Sequence, residues 1–224
     1  ELIFGHTDYG IHEQYCVQEY QYFAFVRHPV ERIISHYLYV KRSPNHYLHD
    51  FLDMSQVSLY DYVTSGATNE LNNGQVRMLI GAGGFHKNNY AKYEVPYGKS
   101  EDWMLEEAKK NIEKYFGFVG VQEEFDNSIL LLKKVLHWKK PLYYQSLNKT
   151  KAKLNKLDLD KKTLEAIVMY NALDLKLYDW VKSNFNGLKR KYPLYLFLAR
   201  VRLLGNNWFF KCKRALKRIL KVQF

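Results

Sequence analysis

YFAFVRHPVERIISHYLY, residues Tyr22 to Tyr39, joins a short apolar run to an amphipathic segment through Arg27, His28 and Pro29. Phe23, Ala24, Phe25 and Val26 read as a buried strand, because a brief apolar run between polar neighbours can cover both faces of a parallel sheet. Pro29 suits the first position of a helix, where its fixed φ helps and its missing N–H would have had no partner. Val30, Ile33, Ile34, Tyr37 and Leu38 then recur at helical spacing as the face that seeks a core. Arg27 therefore stands at the carboxyl end of a strand, where open α/β sheets place their ligand crevice. Ser35 follows eight residues later. A planar guanidinium fork with a hydroxyl nearby is suited to hold a phosphate, since the fork matches two oxygens and the hydroxyl adds a neutral donor. The residues alone leave a second reading open, in which Arg27 pairs with Glu31 and Ser35 is incidental.

Working outward, Ser58 caps a short helix through Val63 that Gly66 stops, and Asn73 to Ile80 forms another. Ser100, followed by Glu101 and Asp102, is expected to cap a helix reaching Tyr115, with acidic residues at its positive end. Phe116 to Val121 reads as a second buried strand. Glu123 to Leu136 reads as a helix that buries Phe125, Ile129, Leu132 and Leu136. Pro141 to Gln145 suggests an edge strand, and Asp160 caps one long helix to Phe185. Strand and helix alternate, so an α/β fold with a mainly parallel sheet flanked by helices follows.

The 224 residues can bury one sizeable core, and their charge is unevenly placed. Residues 1–179 hold 22 Lys+Arg and 23 Asp+Glu, whereas residues 180–224 hold 12 Lys+Arg and no acid. The whole excess of +11 is thus a property of the last segment, and a nearly neutral body argues against nucleic acid as partner. Cys16 and Cys212 are the only cysteines; they lie far apart, which supports neither a disulfide framework nor a zinc site. Trp208, Cys212, Ala215, Leu216, Ile219 and Val222 recur at helical spacing, with Lys211, Arg214, Lys217, Arg218 and Lys221 opposite. This is the pattern of a helix lying on an anionic membrane surface through residues 192–222. The segment before it is interrupted by Arg200 and Arg202 and is too short to span a bilayer. A body over 1–185 and a basic tail over 186–224 is the division this predicts; the alternative is a tail helix packed back on the body.

VRHPVERIISHYLY resembles the 3′-phosphate-binding segment of the carbohydrate sulfotransferases, in the branch similar to heparan sulfate and uronyl 2-O-sulfotransferases. That family carries Arg-x-Pro-x-x-Arg-x-x-Ser, matched by Arg27, Pro29, Arg32 and Ser35, with His28 where an acidic residue is usual. GHTDYGIHEQY near the start resembles its Gly-His segment, and NNGQVRMLIG at Asn72 to Gly81 its Asn-x-Gln-x-Arg-x-Leu-x-Gly element. FGFVGVQEEFDNSILLLKKVLHW from Phe116, LNKTKAK from Leu147 and YNALDLKLYDWVKSNF to Phe185 resemble later family elements in the same order. The resemblance runs from about Leu2 to Phe185.

It implies a P-loop NTPase-like sulfotransferase fold. It also implies transfer of a sulfonate group from 3′-phosphoadenosine 5′-phosphosulfate (PAPS) to a carbohydrate hydroxyl, releasing PAP, without a metal. His6 would then be the general base, and Arg27 and Ser35 would hold the 3′-phosphate. Lys149, Thr150 and Lys153 would close over the cofactor, and Arg77 would face the acceptor, although an Arg within a helix equally serves packing. The loop that holds the 5′-phosphosulfate in this family has no counterpart after Glu1, so the chain is expected to lack a first βα unit and to turn over little alone. Location is expected to be membrane-associated: the Golgi lumen if the chain is eukaryotic, the cytoplasmic side if bacterial. Two other readings stay open, a noncatalytic membrane-surface relative and another enzyme that binds a phosphorylated nucleotide.

Overall fold

The computed structural model describes residues 5, 7–15, 18–54, 56–83, 91–144 and 158–221, with the backbone alone for 53, 54 and 214–221. The chain enters through a one-turn helix, α1 (Ile11–Gln14), and then forms β1 (Tyr22–Val26) and α2 (Pro29–Lys41). Three short helices follow: α3 (His49–Met54), α4 (Leu59–Thr64) and α5 (Gly74–Ile80). Next come α6 (Asp102–Tyr115), β2 (Phe116–Val121) and α7 (Phe125–Val135). The order ends with α8 (Lys161–Tyr170), α9 (Ala172–Lys191) and α10 (Pro193–Lys221).

β1 and β2 pair in parallel, with Val26 opposite Val121 and a bulge between Tyr22 and Phe23. Among the described residues they are the only strands, so the fold is helix-rich α/β around a small parallel sheet. Gly120 is a close-approach position, because a Cβ there would stand 2.9 Å from both the Phe25 ring and Ser128. The core has two parts. Val26, Val121, Leu79, Met104, Leu131, Leu177 and Phe185 belong to one; Val30, Ile33, Tyr62, Leu71 and Ile167 belong to the other. The turn Arg27-His28-Pro29 connects them.

Local signals were read correctly where a single residue decides. Pro29 opens α2, the Ser58 hydroxyl accepts from the Asp61 N–H, and the Asp160 carboxylate accepts from the Thr163 N–H. On α2 the buried stripe includes Val40, while Leu38 is only partly covered.

Other expectations are corrected. Ser100 does not cap α6: the flanking residue is Glu101, and the Ser100 hydroxyl instead donates to Asn72 Oδ1 at 3.1 Å. α7 turns inward a face only partly the expected one, with Ile129 and Leu132 packed against the core but incompletely covered. It buries Ser128, Leu130 and Leu131 and leaves Leu136 42 % exposed, because α10 and β2 approach from that side. Residues 141–144 form no strand. The long helix expected from Asp160 to Phe185 is broken at Asn171, whose φ is −125°. The Asn171 amide donates to Leu71 O and Ile167 O, both at 3.0 Å, and its Oδ1 accepts from the Asn73 N–H. A side chain that bonds backbone in this way competes with helical continuity.

α9 runs through the expected 185/186 boundary between body and tail, and α10 packs on the body. Leu196 and Leu203 lie in the core. The Tyr195 hydroxyl donates to Leu130 O at 2.9 Å, and Asn206 donates to Leu142 O at 3.0 Å.

Candidate functional site

The turn after β1 is held from both sides. Gln75, on α5, accepts from the Arg27 N–H at 2.8 Å and donates to Arg27 O at 2.9 Å, so one side chain does for Arg27 what a neighbouring strand would do. Glu123, just after β2, accepts from the His28 N–H at 2.8 Å and from the Tyr178 hydroxyl at 3.1 Å. The His28 ring stands edge-on to Tyr178 with centroids 5.2 Å apart. The end of β2 is tied similarly, by the Ser128 hydroxyl to Val121 N and O at 2.9 Å each. Main-chain groups at strand ends have no ladder partner, so side-chain bonds to them stiffen the crevice.

Within that frame Arg27 and Ser35 are both half-buried. Among the described residues the Arg27 guanidinium makes no ion pair, with Glu31 or any other carboxylate. An uncommitted fork at the carboxyl end of a parallel strand is free to meet an anion. Ser35 lies off the buried stripe of α2, six residues beyond Pro29 and hence about 9 Å along the axis.

Arg32, one turn before Ser35 on α2, is used differently. Its guanidinium donates to Glu70 O, lies 4.0 Å from Asp174 Oδ2, and covers Gly74, where a Cβ would come within 2.7 Å of Arg32 Nη2. Asp174 is fully buried. Its two oxygens accept from the N–H groups of Gln75 at 3.0 Å and Val76 at 2.8 Å, the first turn of α5. Burial pushes this carboxyl up, opposed by Arg32 and by those N–H groups. In return Asn73 Oδ1 accepts from Leu173 N–H at 2.9 Å and Asp174 N–H at 3.1 Å, the first turn of α9. Each helix supplies the cap of the other, which satisfies donors that a helix start leaves open.

Among the described residues of the expected site, Arg77 is the most deeply buried, at 0 % exposure. Its guanidinium donates to Asn72 O, Asn72 Oδ1, Val95 O, Pro96 O and Ser100 Oγ. Those bonds hold the 95–100 loop against α5, which is the packing alternative left open by the sequence. His6, Lys149, Thr150 and Lys153 lie outside the described residues. Among the described residues no group of three His, Cys, Asp or Glu side chains could hold a metal ion.

Four organising residues escaped sequence reading: Gln75, Glu123, Asn73 and Asp174. Glu123 lies two residues beyond β2, at the same sheet end as Arg27 beyond β1, and that placement was the available signal. Asn73 and Gln75 lie in the quoted NNGQVR element, but nothing local shows that their partners are Asp174 and Arg27.

Nearby, Glu70 Oε2 lies 3.3 Å from His36 Nε2, whose Nδ1 is 3.0 Å from the Tyr62 hydroxyl. Burial disfavours the charge on Glu70, but His36, Arg32 and His46 outweigh it and draw the carboxyl down to about 2. The unfolded chain takes up that proton near the ordinary carboxyl value of 4.5, so the contribution is complete above that pH and is lost as pH falls towards 2. Glu70→Gln should flatten the acid side of the stability profile between those values, measured by urea midpoints. An unchanged acid limb would show that Glu70 is not the responsible group.

A braced turn at the carboxyl end of a parallel strand, with a guanidinium that makes no ion pair among the described residues, places the chain among α/β proteins whose crevices open at strand ends. The chain belongs to the galactose-3-O-sulfotransferase family, whose model matches residues 8–191. It is 28% identical over 214 residues to heparan-sulfate 6-O-sulfotransferase 1-B of Danio rerio, covering 85% of this chain and 50% of that protein. It is 26% identical over 188 residues to human heparan-sulfate 6-O-sulfotransferase 1, covering 75% and 44%. Human uronyl 2-sulfotransferase is 34% identical over 101 residues, covering 42% and 25%. The chain thus spans half or less of the length of these relatives. The expected kinship with carbohydrate sulfotransferases is met; the matched segment begins after His6 and ends with α9.

Proposed function

We propose that the protein containing this chain transfers a sulfonate group from PAPS to a hydroxyl of a glycan. The observation that carries the reading is Arg27: a half-buried guanidinium without a protein carboxylate among the described residues, on a turn fixed by Gln75 and Glu123. Such a group fits a doubly charged ribose phosphate, and the Ser35 hydroxyl adds a neutral donor to it. The relatives bear names of enzymes that sulfate heparan sulfate and uronyl groups, which supports a carbohydrate acceptor. The family resemblance, rather than geometry, assigns the base to His6 and the closing loop to Lys149, Thr150 and Lys153.

In this reaction the acceptor oxygen attacks sulfur as the bond from sulfur to the phosphate oxygen breaks. His6 takes the hydroxyl proton, and PAP departs with the electron pair. Arg27 and Ser35 act on the far end of the donor. They position it and reject a nucleotide without a 3′-phosphate, so their contribution lies in orientation. Arg77 works through the 95–100 loop and orders its backbone.

Arg27→Ala should weaken PAP binding by about 1.5–3 kcal/mol, the range for a hydrogen bond to a charged group, while 5′-AMP binding changes little. Calorimetry with both nucleotides on the whole protein checks this. Equal loss for both, or none for PAP, would reject the clamp.

A further inference from the structure

α10 has two apolar faces, and only one of them is used. Tyr195, Leu196, Leu203, Asn206 and Asn207 meet the body through core packing and hydrogen bonds. On the opposite side Leu194, Phe197, Val201, Leu204, Trp208 and Phe209 are each 58–69 % exposed. At about 100° per residue, these six positions and Leu198 fall within one arc of roughly 140° that contains no polar side chain. Arg200 and Lys211 border the arc on one side, Arg202 and Lys213 on the other, and all four are exposed. The described part of the helix is therefore a strip of large apolar side chains between two rows of cations. It points the same way as the sequence stripe from Trp208 onward, which at the same spacing falls within this arc. The bare face begins fourteen residues earlier, at Leu194, in the stretch whose two arginines rule out only a bilayer span.

We propose that α10 is an interfacial anchor, lying in the surface of an anionic lipid bilayer with its bare face inward and the body held on its other side. Charge selects the occupant. From residue 180 onward the chain has 12 Lys+Arg and no acid. Pairing this strip with its copy in another molecule would bring the cationic rows together with no carboxylate on the helix to offset them. An anionic headgroup layer supplies that counter-charge on both borders, while the acyl region accepts Leu, Phe and Trp. Arginine and lysine at the edges can keep their charged ends among the headgroups while their stems stay apolar. No described helix is long and apolar enough to cross a membrane, so the helix lies along the surface. It also lies beyond the segment matched by the family model, which makes anchoring separable from the crevice at Arg27.

The test is cosedimentation of the 224-residue chain with vesicles of phosphatidylcholine alone or with about one-third phosphatidylserine. Binding should be at least about tenfold stronger to the anionic vesicles and should weaken with added salt. Leu204→Glu with Trp208→Glu should abolish it. Arg202→Gln with Lys211→Gln should weaken it by roughly thirtyfold, since each cation near such a surface contributes about fivefold. All four side chains are exposed, so the circular dichroism and melting temperature of the variants should match the parent. Equal binding to both vesicle types, or none to either, would overturn the proposal. So would an oligomer that Leu204→Glu with Trp208→Glu dissociates while vesicle binding is absent, which would make the face a protein interface.

Discussion

Asp174→Ala should destabilise the fold by about 3–5 kcal/mol, the loss expected when one member of a buried charged pair is removed. The carboxylate is fully buried and is the common acceptor for the Gln75 and Val76 N–H groups. It is also the carboxylate nearest Arg32 Nε. Alanine would leave two helix-start donors and a guanidinium without their partner in a place water reaches poorly, and such groups are costly to desolvate. The damage should extend to the site, because α5 carries Gln75, which bonds both main-chain groups of Arg27. Asp174→Asn keeps one acceptor oxygen and should cost distinctly less. Urea unfolding of the two variants and the parent checks the order. A loss below about 1 kcal/mol for alanine, within the range of ordinary surface changes, would show that the α5–α9 interlock does not hold the fold.

His6→Ala should leave PAP affinity near the parent value and lower turnover by about two to four powers of ten, the range for loss of a general base. The argument is chemical. Sulfonate transfer to an alcohol needs the hydroxyl proton removed as the oxygen attacks, and imidazole can accept a proton near neutral pH. In the proposed reading the Arg27 clamp acts at the opposite end of the donor, so the two substitutions should separate cleanly: one in binding, the other in turnover. Single-turnover sulfonate transfer to heparan sulfate and to galactose-bearing glycans, with calorimetry for PAP, reads both quantities. Full activity in the alanine variant would remove His6 from the reaction, and lost PAP binding would move it to the cofactor site.

The predictable parts of this fold are those whose cause lies within a few residues. A proline at the first helical position, a serine or aspartate bonding an N–H three residues on, and an apolar run ending in arginine each act locally. They therefore marked β1, α2, α4 and the start of α8 correctly, and the apolar run Phe116 to Val121 marked β2. Reading failed where a polar side chain had a distant partner. Ser100 looks like a cap, but Asn72 claims its hydroxyl. Asn171 looks like one more position of a helix, but Leu71 and Asn73 claim its amide and end the helix there. Leu136 fits the stripe of α7 by spacing, but the approach of α10 and β2 decides which face is covered.

From its residues alone, this chain was bound to place an arginine at the end of a buried strand, open the next helix with a proline, and gather its positive charge after residue 179. These outcomes rest on backbone geometry, periodicity and composition, which act over a few bonds or none. Tertiary packing alone decided that Gln75 would brace Arg27, that Asn73 and Asp174 would cap each other's helices, and that Arg77 would hold the 95–100 loop. The same packing decided which face of α10 stays bare. Partners such as Asn73 and Asp174, 101 residues apart in the chain, meet only after helices have packed. No local pattern encodes a bond whose two ends are brought together by the rest of the core.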